Sequence, residues 1–81
     1  MKIYLLSQNQ YSSYDTYDSC VVCAESEEDA KTIHPDGSNF SEKDDWMHCW
    51  ANSLEDIRCQ EIGIANDKQI RGVICASFNA G

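Results

Sequence analysis

The sequence predicts an α+β fold: a four-stranded, mostly antiparallel sheet with one short helix packed on one face. Four short apolar segments, one well-signalled helix start and a chain of only 81 residues carry that expectation. A chain of this length buries about two-thirds of its unfolded surface on folding and has room for a single domain, residues 1–81.

Lys2 to Ser7 sets Ile3 and Leu5 on one face and Tyr4 and Leu6 on the other, which suits a well-covered first strand. Gln8 to Asp18 is rich in Tyr, Ser, Asn and Asp without helical or strand periodicity, and reads as a long loop. Ser19 to Ala24 is small, β-branched and apolar on both faces, as a central strand is. Ser26 then offers an N-cap, and Glu27, Glu28 and Asp29 complement the positive end of a helix. That helix should run for about eight residues before Pro35 stops it, leaving His34 near its negative C-terminal end.

Ser38 to Ser53 has no clean period and reads as an irregular crossover pinned to the core by Trp46 and Trp50. Ile57 to Ala65 alternates as a strand whose phase slips near Gly63, which predicts a bulge there. Asn66 to Gln69 supplies a turn and Arg71 to Phe78 a further strand, so the last two strands are expected to form a hairpin.

Fourteen Asp and Glu against six Lys and Arg give a net charge of −8, which repels phosphate backbones and anionic membranes. Direct nucleic-acid binding is therefore not expected. No apolar run approaches the roughly 18 residues of a membrane span, and the first residues are too short for a signal-peptide core, so the chain reads as cytoplasmic. The five cysteines, an odd number, read as reduced thiols.

The chemistry-bearing residues do not assemble into a motif. Cys20 and Cys23 have metal or redox spacing, but positions i and i+3 of a strand face opposite ways, so no metal site or cofactor is expected. A cysteine could pair with His34 or His48 and an orienting Asp or Asn, yet nothing in the sequence selects a pair. The glycines are scattered, with no phosphate-cradling spacing. The chain is expected not to be an enzyme.

Two features remain. Between Asp15 and Asp56 lie twelve of the fourteen acids, a local net charge of −10 against +2 elsewhere. Such a surface suits docking on a basic partner, with Glu27, Glu28, Asp44 and Asp45 as contact residues. Tyr11, Tyr14 and Tyr17 recur every third residue among Ser, Thr and Asp, the chemistry of a recognition loop, which adds Tyr14, Asp15, Tyr17 and Asp18.

The opening Met1-Lys2-Ile3-Tyr4-Leu5-Leu6-Ser7, the stretch Tyr14-Asp15-Thr16-Tyr17-Asp18-Ser19 and the terminal Ala76-Ser77-Phe78-Asn79-Ala80-Gly81 resemble a family of small proteins encoded by tailed phages and prophages. The similarity spans nearly the whole chain and brings no catalytic residue with it. It implies a phage-type protein that binds and inhibits a host protein with a basic surface, such as an anti-CRISPR or other anti-defence factor. The alternative is an oligomeric sponge that sequesters a nucleotide-like signalling molecule, with Tyr14 or Tyr17 stacking on the base and Arg58, Lys68 or Arg71 collecting the phosphates.

Overall fold

The computed structural model describes residues 1–11, 15–40 and 49–79. Four strands, β1 (Lys2–Ser7), β2 (Thr16–Ala24), β3 (Arg58–Ile64) and β4 (Gly72–Asn79), form one antiparallel sheet in the order β3-β1-β2-β4. A five-residue helix, α1 (Glu27–Lys31), packs over β1, β2 and β3, and a 3-10 turn (Leu54–Asp56) precedes β3. The architecture is the α+β sheet with one short helix that the segment pattern predicts.

The hydrophobic pattern explains which strands are central. β1 and β2 pair along their length from Lys2↔Ala24 to Ser7↔Ser19, and all the fully buried strand residues lie in them. Tyr4 and Leu6 of β1 and Cys20, Val22 and Ala24 of β2 point into the core, where they meet Ala30, Ile33, Trp50, Ala51 and Ile57. Trp50 is 1% exposed, and its indole N–H has no hydrogen-bond partner among the described residues.

The expected hairpin between the last two strands does not form. β3 pairs with β1 on one edge and β4 with β2 on the other. The connection 65–71 crosses the end of the sheet instead, anchored where Ala65 N–H donates to the Met1 carbonyl at 3.1 Å. Seven extended residues reach about 23 Å, more than the roughly 14 Å separating strands three places apart. Length therefore allows the crossing, and burial selects it, because β1 and β2 gain most from the middle.

Two boundaries also differ. β2 begins at Thr16, so part of the expected loop is strand, its turn made by Asp15 at φ 61. The helix stops at Lys31, shorter than its signals suggest, and His34 lies beyond it in the following turn. The predicted bulge is present: Ile3 pairs with Gly63 and Tyr4 with Glu61, leaving Ile62 as the extra residue.

Candidate functional site

The helix start builds as its sequence predicts. Ser26 Oγ accepts the Asp29 N–H at 3.1 Å, and Asp29 Oδ2 accepts the Glu25 N–H at 3.0 Å. Asp29 is also held by Arg71, with Nη2 to Oδ1 at 2.7 Å and Nε to Oδ2 at 2.9 Å. These hydrogen bonds, from Arg71 first and the Glu25 amide second, hold its carboxyl below the ordinary range. Asp29 is thus an internal brace between α1 and the 65–71 connection.

Its neighbours are not spent in this way. Glu25, Glu27 and Glu28 are exposed, and the Lys31 ammonium reaches Glu27 only at 4.0 Å. Ser26, Glu27, Glu28 and Lys31 line an open depression whose carboxylates suit a cationic group and oppose a phosphate.

The tyrosine segment is organised by a residue that sequence reasoning passed over. Gln8, 8% exposed, donates from Nε2 to the carbonyls of Tyr11 (2.7 Å) and Tyr17 (2.8 Å). Its Oε1 accepts from the amides of Gln10 (2.7 Å) and Tyr11 (3.0 Å). A glutamine following two buried alternate positions, Tyr4 and Leu6, was the available signal, since the same face would bury it too.

The predicted binding residues fall into separate groups. Glu27 and Glu28 are exposed in α1, and Asp15 is exposed at the turn before β2. Some 26 Å of extended chain in β2 separates that turn from the helix start. Tyr17 is half-buried, its ring tilted against Phe78 at 4.7 Å, and Asp18 accepts from Asn79 Nδ2 at 2.9 Å. Among the described residues it is Gln8 that holds the amides of Gln10 and Tyr11. Tyr14, Asp44, Asp45, Trp46 and His48 lie outside the described residues.

A third group was unresolved in the sequence and is brought together by the fold. His34 Nε2 lies 3.7 Å from Cys49 Sγ, and His34 Nδ1 lies 3.0 Å from Asp36 Oδ1. The Tyr17 ring meets the imidazole edge to face at 5.8 Å. Asp36 Oδ1 also accepts from the Ser38 hydroxyl and amide; partial burial opposes ionisation, but these bonds and His34 prevail and hold the carboxyl below its ordinary range. Burial first, then the charges of Asp36 and Cys49, raise the Tyr17 phenol. The pairing missed by sequence reasoning spans fifteen positions, with Tyr17 N–H bonded to the Cys49 carbonyl at 2.8 Å to set its height on the sheet.

The five cysteines form no disulfide, and no cluster of three or more His, Cys, Asp or Glu with metal-holding geometry occurs among the described residues. No helix among the described residues is long and apolar enough to cross a membrane. Comparison of the chain with protein-family models, with curated proteins and with solved structures finds no match.

Proposed function

We propose that this protein is a non-enzymatic binding module of the phage type its sequence resembles, which docks on the basic surface of a host protein in the cytoplasm and inhibits it as an anti-CRISPR or other anti-defence factor. The observation that carries the reading is the contrast at α1: Asp29 is neutralised by Arg71, whereas Glu25, Glu27 and Glu28 stand exposed together. Carboxylates in such a patch accelerate encounter with a cationic surface and discourage nucleic acid itself.

A second reading, the oligomeric sponge, is favoured by one observation. Edge strand β4 (Gly72–Asn79) carries no charged side chain, and Ile74, Cys75, Ala76, Ser77 and Phe78 are all exposed. An uncharged antiparallel edge is self-complementary about a two-fold axis and lets two copies of net charge −8 approach.

One set of samples separates the readings. Wild-type protein and the double variant Glu27→Lys, Glu28→Lys are sized by sedimentation and used to capture partners from host lysate at low and high salt. Docking through the acidic patch predicts a monomer that retains a basic protein at low salt, with retention falling about tenfold in the variant. Identical retention by both proteins at both salt concentrations overturns it, and a closed oligomer that releases a nucleotide on denaturation establishes the sponge.

A further inference from the structure

The five thiols of the chain have different surroundings. Cys20 and Cys23 are fully buried, and burial pushes the Cys20 thiol up to about 12. Cys59 is half-buried and is raised chiefly by burial as well. Cys75 is exposed on β4. Cys49 is half-buried and stands beside an imidazole that is in turn beside a carboxylate. Exposure alone ranks Cys75 as the reactive thiol; electrostatics rank Cys49 first, because the thiolate is the nucleophile and a neighbouring imidazolium stabilises it.

We propose that Cys49, paired with His34 and Asp36, is a reactive thiol that takes up a low-molecular-weight disulfide. Two groups face His34 Nδ1: the Asp36 amide donates to it at 3.1 Å, and Asp36 Oδ1 stands at 3.0 Å. Nδ1 serves these two contacts in turn: while it accepts the Asp36 amide the proton sits on Nε2, and in the other tautomer the Nδ1 proton is directed at Asp36 Oδ1, so that the Nε2 lone pair faces Cys49 Sγ and takes the thiol proton. The resulting imidazolium lies between two anions, Asp36 and the thiolate. Among the described residues Tyr17 is the other titratable group against this pair; its raised phenol remains neutral across the working range and contributes its ring edge to ring face packing.

The step balances without a further reagent. The Cys49 thiolate attacks one sulfur of R–S–S–R, a bond forms between Sγ and that sulfur, and the original S–S bond breaks. The departing sulfur leaves as a thiolate and takes the proton from His34. Cys49 is oxidised to the mixed disulfide, and one half of the reagent is reduced to the thiol.

The test uses the intact chain with 4,4′-dithiodipyridine at substoichiometric concentration, with labelled sites assigned by peptide mapping across pH 5 to 9, the span on either side of ordinary imidazole titration. Cys49 should be labelled about tenfold faster than Cys75 at pH 6, and the two rates should converge as the pH approaches ordinary thiol values. His34→Gln should slow Cys49 about tenfold at pH 6 with little effect at pH 9. Asp36→Asn, at a side chain 49% exposed, should reduce the rate in the same direction by a smaller factor and serves as the test should the His34 variant not fold. Labelling of Cys75 ahead of Cys49 at pH 6, or a folded His34→Gln or Asp36→Asn protein with wild-type labelling at Cys49, overturns the proposal.

Discussion

On β1, Tyr4 and Leu6 are 4% and 0% exposed, while Ile3 and Leu5, one residue away on the other side, are only half-covered. β2 repeats the contrast: Val22 is 0% exposed, and Val21 beside it is half-covered. One side of the sheet carries α1, Trp50 and Ile57, while on the opposite side Leu5 and Val21 are half-covered and Cys23 is buried beside Met1. Side chains of similar hydrophobicity therefore contribute very different amounts to stability, because area removed from water, and not residue type, sets the gain. A strand apolar on both faces is consistent with two covered faces, yet among the described residues the helix covers one.

The largest effect should come from the covered side. Leu6→Ala leaves a cavity in a fully buried site and should destabilise by about 3 kcal/mol, whereas Leu5→Ala should cost less than about 1 kcal/mol. Urea denaturation of the two variants measures the difference directly. Equal losses would mean that Leu5 is covered in solution, as a closed oligomer packed on that face would require.

Gln8 extends the covered side by one more alternate position, in polar form. Gln8→Leu keeps the bulk but leaves two carbonyls and two amides of the 8–17 segment without their partner. The expected loss is about 2 kcal/mol, with hydrogen exchange accelerated at Tyr11 and Gln10 before it changes at Val22. Unchanged exchange at Tyr11 would show that the segment is held by its tyrosines instead.

The smallest effect concerns the rim of the covered side, where Arg71 grips Asp29. Arg71→Ala should cost about 1 kcal/mol, the upper range for a partly exposed ion pair. Because the folded Asp29 carboxyl lies below its ordinary value of about 3.9, its contribution is complete above that pH and is lost as pH falls through the lowered folded value. The gap between wild type and variant should therefore be constant near neutrality and close below about pH 4. A gap that persists at pH 2 would assign the loss to packing of the arginine stem.

What could be read from the sequence was local. The first strand, the Ser26 cap and the slip at Gly63 each depend on residues within a few positions, and each is present. The acidic character of the helix start was legible for the same reason, since consecutive carboxylates at the end of a short helix have few ways to be buried. The fold class followed from counting such segments.

Tertiary structure decided what distant residues do together. Whether β3 and β4 adjoin depends on which strands gain most from the centre of the sheet, and the turn residues between them encode only that the chain can reverse there. The acids of the Asp29 region look alike in sequence, and only the return of Arg71, forty-two positions later, makes one a brace and leaves the others exposed. The same holds for His34 and Cys49: each is an ordinary residue in its own segment, and their 3.7 Å approach exists because Tyr17 of β2 carries both, its amide on the Cys49 carbonyl and its ring on the imidazole. Local propensity falls off within a turn or two of chain, whereas burial and hydrogen bonding act through space, so the sequence by itself determined the elements, and packing determined the neighbours and where the second strand and the helix end.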